Sequence, residues 1–438
     1  MDERNQAYAD KLSRMIRLET VSDYGQPENE KFSAFQRLLE ELFPHLFAAC
    51  SKRDFRGSLL LHWPGRDKDA EPVLFLNHMD VVEAGGDWSH PPFAAERAED
   101  KLWGRGALDD KGGLWAMLQA GDELAGEDFI PSRDIYFMSS CTEETSGCGA
   151  EAIAAWFEEN GIRLAMSFDE GGMIMYDPIG GAEGDFAMIG VGEKGCADLR
   201  FAARSAGGHA STPDRDTPLV RLGKFMAAAD KGGLFDRELS DTTCEMLRRF
   251  APYMGKVGIV TGRPRLFAPV LKQVLPRLSG AAGALLQTTL AFTMARGSGG
   301  YNVLPEEAWV VGNMRYSHHQ GRDGSIRAAS ELARRYDIEV EVLDGGCESR
   351  LTDYNSPAFR LTERAVAAVF PGVKPVPYVM TGASDSRFLD RVCDQCIRFL
   401  PFKIDRQQLA SIHGLDENVD MDSLSPAVDY YKFLMREV

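Results

Sequence analysis

The sequence predicts an α/β protein: a mostly parallel sheet with helices on both faces, interrupted by an inserted α+β unit. Three observations carry this reading. Over the first 190 residues, apolar runs of strand length alternate with helical patterns, a βαβ rhythm that builds parallel sheet. From about residue 193 the strand-like segments alternate in polarity, as half-buried strands do. From about residue 350 the first pattern returns, so the second unit splits the first.

The elements follow in order. Residues 4–18 and 32–43 carry apolar positions at helical spacing. LLLHW at 59–63 and VLFLN at 73–77 read as strands, and LWAMLQAGDEL at 114–124 as a helix. DIYFMSS at 134–140 is a strand, AEAIAAWFEENG at 150–161 a helix closed by glycine, and LAMSF at 164–168 a strand. In the second unit, GEKGCADLRFAARS, WVVGNMRYS and EVEVLD read as strands and SIRAASELARRY as a helix. The last part holds a helix in SPAFRLTERAVAAVF, a strand in QCIRFLPF and a closing helix in SPAVDYYKFLMREV. The expected division is 1–192 and 348–438 for a catalytic domain in two pieces, with 193–347 inserted as a lid or dimerisation domain. Within the insert, about 230–297 forms a helix-rich stretch with apolar runs.

Composition narrows the function. At 438 residues the chain exceeds one compact core. A net charge of −17 argues against nucleic acid or an anionic membrane as partner. No apolar run reaches transmembrane length, and the polar start MDERNQAYADKLSRM lacks the core of a secretory signal, so a cytoplasmic protein is expected. Eight cysteines are too sparse for a disulfide scaffold. Cys393 and Cys396 form a C-x-x-C without a second ligand pair, which reads as structural. His318 and His319 read as solvated loop residues.

Four polar clusters stand directly after predicted strands: NHMD at 77–80, GRGALDDKGG at 104–113, TEETSG at 142–147 and DEGG at 169–172. In open α/β sheets ligands bind at the carboxyl ends of strands. The clusters offer His78 and carboxylates at Asp80, Asp109, Asp110, Glu143, Glu144, Asp169 and Glu170. Carboxylates so crowded repel one another unless cations neutralise them. Mixed imidazole and carboxylate ligands suit zinc, with cobalt or manganese as alternatives. A second imidazole is needed, and HGLDENVD at 413–420 supplies His413. In His78-x-Asp80 the side chains share a face of an extended segment, so Asp80 is placed to take the second ring N–H. Of Glu143 and Glu144, one can hold metal while the other handles the water proton. Asp110 can cap the helix starting near Lys111.

These clusters resemble the co-catalytic zinc hydrolases that include aminoacylase, glutamate carboxypeptidase, succinyl-diaminopimelate desuccinylase and carboxypeptidase S. The resemblance runs over nearly the whole chain, and DEGG and WSHPPF at 88–93 look closest to the carboxypeptidase S and aminoacylase branch. It implies two zinc ions per subunit: His78 and Glu170 on one (Asp169 as the fallback), Glu144 and His413 on the other, Asp109 bridging both, and Glu143 as general base. SAGGHAST at 205–212 resembles the segment whose histidine enters the partner subunit's site, which makes His209 an oxyanion donor and implies a homodimer through the inserted domain. YNVLPEE at 301–307 makes Asn302 a further contact. Arg315 and the TGASDSR segment, with Gly382 and Ser384, are candidates for gripping a substrate carboxylate. The implied substrate is a small peptide or an N-acyl amino acid, cut at an amide next to a free carboxylate. A dipeptidase of the same family is the near alternative. A non-catalytic binding protein would lack the base or a ligand, and all are present. A serine hydrolase would need a G-x-S-x-G elbow, and none occurs.

Overall fold

A computed structural model describes residues 3–23, 30–145, 147–278, 280–346 and 349–438. Ser146 of the TEETSG cluster lies outside them. Its centre is an eight-stranded sheet in the order Ser51–Phe55, Ser58–Trp63, Ile135–Ser139, Val73–Leu76, Met166–Tyr176, Cys396–Ile404, Asp185–Glu193, Lys374–Met380. Val73–Leu76 runs parallel to both of its neighbours. Every residue in it is buried, as an unbroken apolar run requires when helices cover both faces.

Side-chain alternation divides the core in two. Leu59, Leu61, Val73, Phe75, Ile135 and Phe137 face the larger cluster. The helices Glu3–Ile16, Lys111–Gly126 and Leu424–Glu437 pack on that side. Leu60, Leu74, Leu76, Tyr136 and Met138 face the other way, onto Cys148–Glu159. Cys393 and Cys396 belong to that second cluster, buried as thiols among Leu164, Leu389 and Val392.

Two central strands escape a reading of hydrophobic runs. Lys374–Met380 contains two prolines, KPVPYVM, and is tolerated because it is the sheet's edge, paired on one side only. Asp185–Glu193 pairs with it and carries the chain to the second unit. The DEGG cluster, expected after a strand, lies inside one: Met166–Tyr176 runs through it. The strand leaves Val73–Leu76 at Phe168, slips register against Cys396–Ile404 between Asp169 and Gly172, and then pairs with Asp185–Glu193.

The second unit is an antiparallel sheet in the order Thr289–Arg296, Glu307–Tyr316, Gly195–Arg204, Glu339–Asp344. The helices Pro218–Asp230 and Gly321–Arg334 cover one face through Leu199, Phe201, Phe225 and Met314. The 230–297 stretch is not helical throughout: Thr289–Arg296 is an edge strand, largely exposed and so without a clear alternation to read. Its helix Asp241–Phe250 packs on Lys374–Met380 of the central sheet, joining Met246, Leu247 and Phe250 to Phe186, Met188 and Val376.

The junction between the units holds a buried ion pair. Arg398 donates Nε to Glu193 Oε2 at 3.0 Å, and both side chains are essentially unexposed. Arg398 also donates to Cys396 O and Ser349 Oγ. Removing one partner of such a pair leaves an uncompensated buried charge. Arg398→Ala is therefore expected to cost about 3–5 kcal/mol, read as a fall in the urea midpoint. An unchanged midpoint would contradict this role.

Candidate metal centre and active site

His78 follows the strand Val73–Leu76, and the ladder continues past it: Asn77 N donates to Met138 O and Met79 N to Ser140 O. The chain thus stays extended, and His78 and Asp80 share a side. His78 Nδ1 lies 2.9 Å from Asp80 O and 3.4 Å from Asp80 Oδ1. The ring N–H therefore goes to the backbone carbonyl, with the carboxylate behind it, where the sequence suggested the carboxylate. The Asp80 carboxylate has other partners as well. Its two oxygens accept the amides of Glu143 at 3.2 Å and Glu144 at 3.1 Å. Asp80 thus fixes the turn that carries both glutamates, and a Nδ1–H tautomer leaves Nε2 of a neutral His78 as an electron-pair donor.

Asp109 lies between the imidazoles. Its Oδ1 is 3.0 Å from His78 Nε2, and its Oδ2 is 3.1 Å from His413 Nε2. Glu144 Oε2 is 3.0 Å from the same His413 nitrogen. Ligand atoms of His78, Asp109 and Glu144 all fall within 4.8 Å of one another. Glu417 holds the loop in place. It accepts from Gly106 N, Leu108 N and Asp109 N at 2.8–3.0 Å and from Arg105 Nη1 at 2.7 Å. Arg105 also donates to Gly414 O, beside His413. Asp110 sits at the N-cap of Lys111–Gly126, but its side chain makes no cap bond there and accepts His78 N at 3.1 Å instead. Asp169 accepts Glu170 N at 2.8 Å on one oxygen and Ser386 N at 2.9 Å on the other.

The electrostatics describe a site crowded with carboxylates. Burial, then Asp385 and Glu144, hold the Glu143 carboxyl well above its ordinary range, against the pull of His78. Burial, then Asp109, Asp169, Glu143 and Asp110, do the same to Glu170. Burial also pushes Asp109 up, but hydrogen bonds from His413 and His78 outweigh it and leave this carboxyl below the usual range. His413, bonded first to Asp109 and then to Glu144, is raised to about 10. Glu144 Oε1 is buried without a partner among the described residues. Imidazoles, clustered carboxylates and an orphaned buried oxygen are the donor set that divalent cations satisfy.

The remaining sequence candidates are His209, Asn302, Arg315, Gly382 and Ser384. His209 and Asn302 meet on a two-stranded ribbon, Gly208–His209 against Val303–Leu304, and both are exposed. His209 Nδ1 is 2.7 Å from Ser211 Oγ. Arg315 lies on Glu307–Tyr316 with its Nε on Asn313 Oδ1. Gly382 is exposed. Ser384 is fully buried, and its N and Oγ both donate to Glu193 Oε2. From the same segment, Arg387 reaches to 3.8 Å from Glu143 Oε1, and Asp385 accepts from Ser140 Oγ. Arg387 and Glu417 were within segments singled out by motif, yet nothing in the motifs distinguishes them; the contact across the fold does.

Known proteins place this geometry. The profile of peptidase family M20/M25/M40 matches residues 74–437. The human N-fatty-acyl-amino acid synthase/hydrolase PM20D1 is 27% identical over 98% of this chain and 87% of its own length. The probable carboxypeptidase S-like 2 of Dictyostelium discoideum is also 27% identical, over 98% of this chain and 84% of its own. Among solved structures, the M20 family metallo-carboxypeptidase Sso-CP2 from Sulfolobus solfataricus superposes with a TM-score of 0.74 at 17% identity, covering 100% of this chain and 99% of the other. Human carnosine dipeptidase 1 superposes at 0.66 and 15% identity, covering 99% and 97%. The chain is a hydrolase that belongs to peptidase family M20/M25/M40.

Proposed function

We propose that the protein is a di-zinc amidohydrolase that cuts an amide next to a free carboxylate, at a peptide C-terminus or in an N-acyl amino acid. The observation that carries this is Asp109, with one oxygen against His78 and the other against His413, beside the turn that bears Glu143 and Glu144. The relatives' names, an N-fatty-acyl-amino acid synthase/hydrolase and a carboxypeptidase S-like protein, support the same bond.

His78 and Glu170 would hold one ion, Glu144 and His413 the other, and Asp109 both. Glu170 is preferred to Asp169 because it matches the ligand position of the resembling family; Asp169 holds the amides of Glu170 and Ser386. When bound, the ions supply water ionised near neutral pH and a Lewis acid for the amide carbonyl. Glu143 takes the water proton and returns it to the leaving amine. A carboxyl held above its ordinary range suits both halves of that transfer. Asp80 keeps Glu143 and His78 in register with each other. Arg387, beside Glu143, offers the fork for the substrate carboxylate; Ser384 has no capacity left for it. His209 and Asn302, exposed on their ribbon, would serve a partner's site in a dimer, with His209 donating to the oxyanion.

Glu143→Ala is expected to lower kcat by about 10²–10⁴ while bound zinc, measured by elemental analysis, is retained. Loss of metal together with activity would make Glu143 a ligand and sink the assignment. Glu417→Gln removes the charge facing Arg105 and weakens the hold on Asp109; zinc affinity should fall about 10–100-fold in competition with a chelator, and wild-type affinity would overturn the positioning role. His413, raised to about 10 without metal, must lose its proton to bind one. Zinc affinity should therefore rise with pH up to about 10, and binding at pH 7 should release protons. Calorimetry in two buffers of different ionisation heat reads the release directly, and identical heats would contradict it.

A further inference from the structure

The net charge of −17 is not spread evenly along the chain. Between Glu245 and Glu306 lie sixty residues with eight lysines and arginines and no acidic side chain. The same stretch turns apolar side chains to solvent. Val257, Ile259, Leu266, Val270 and Val274 are 40–69% exposed. The last three recur every fourth residue and form one ridge along Ala268–Leu278 and the turn before it, where Phe267 N already donates to Arg263 O. The neighbouring ridge, Phe267, Leu271 and Leu275, packs inward on the cluster that holds Met188 and Phe250. The helix thus has one apolar ridge that the core uses and a second that stays in solvent. The exposed ridge edges the mouth of an apolar cavity of about 970 Å³: Val257, Val270 and Val274 line it together with exposed Ile179 and Leu409. One surface therefore gathers apolar residues from three parts of the chain.

Cations surround this surface. Arg263 and Arg277 flank the ridge at helical spacing, and Lys256 lines the cavity mouth; all three are exposed. With the half-buried Lys272, they form no ion pair among the described residues. Arg265 and Arg249, by contrast, are held by Asp241 and Glu363. Exposed apolar side chains among uncompensated cations fit the interface of an anionic bilayer, where the first enter between headgroups and the second meet phosphates. A second copy of this chain fits worse, because a two-fold contact through this face sets the same cations against one another. We propose that this face docks the protein on an anionic lipid bilayer, with Leu266, Val270 and Val274 inserted and Lys256, Arg263, Lys272 and Arg277 on the headgroups. No described helix is long and apolar enough to cross a membrane, so the attachment is peripheral. The acidic remainder of the chain is repelled by the same lipids, which fixes the orientation. The inference goes beyond the amidohydrolase reading and does not require it.

The test sediments the full chain with vesicles of phosphatidylcholine, alone or mixed with phosphatidylglycerol, at rising salt. Binding should be at least about tenfold tighter on the mixed vesicles and should weaken with salt. Each cation at such a surface contributes about fivefold, so Arg263→Glu combined with Arg277→Glu should weaken binding by at least about 25-fold. Val270→Ser combined with Val274→Ser should weaken it about tenfold. All four positions are exposed, so both variants should keep the wild-type urea midpoint; Arg263→Gln with Arg277→Gln replaces the charge reversal should that variant not fold. Equal affinity for the two vesicle types, no affinity for either, or binding that neither variant weakens overturns the proposal. So does a lipid-free oligomer that Val270→Ser with Val274→Ser dissociates while vesicles bind nothing, for the face then joins two copies. The assay has no catalytic readout, so its failure leaves the hydrolase reading standing, and failure of that reading leaves the assay intact.

Discussion

The site depends on where one carboxylate is held. Asp109 lies between two imidazoles that approach from opposite ends of the chain, and nothing in its own local sequence keeps it there. Glu417 does, by accepting three amides of the Gly106–Asp109 loop and the Arg105 guanidinium. Arg105 in turn reaches Gly414. The loop carrying Asp109 and the loop carrying His413 are thus one hydrogen-bonded body. Burial raises this carboxyl above its ordinary range, against the pull of Arg105 and of the amides of Asp109 and Leu108.

The same logic recurs on the other side. Asp80 accepts the amides of Glu143 and Glu144, and Asp169 accepts those of Glu170 and Ser386. In each case a carboxylate fixes the backbone of an acidic residue next to the cluster. Of the seven carboxylates in the clusters, Asp80, Asp110 and Asp169 accept backbone amides in this way.

Much of this is legible in the sequence, and the limits have physical causes. His78-x-Asp80 can be read because period-two geometry is local. The choice of Asp109 over Asp110 rests on resemblance alone, since adjacent residues look alike until His78 N is seen on Asp110. Glu417 sits in HGLDENVD like any solvated loop acid, because its partners lie some three hundred residues away in the chain. Arg387 is hidden for the same reason. Lys374–Met380 is missed because its prolines signal a loop wherever edge position is unknown. DEGG reads as a strand end because two glycines punctuate it, whereas here they permit a register slip within a continuing strand.

The chain carries −17, and its substrate is an anion if it bears a free carboxylate. Long-range attraction therefore cannot draw the substrate in, and screening at physiological salt only mutes the repulsion. Recognition has to come from short-range terms. Arg387 beside Glu143 provides a local positive charge. A cavity between the central sheet and the 230–297 stretch is lined mostly by apolar side chains, and among the described lining residues the only charged ones, Lys256 and Arg406, are cationic. The strand ends of the central sheet carry the polar groups, and the helical stretch at its edge, anchored through Arg249 to Glu363 and through Thr288 to Ser325, supplies apolar surface.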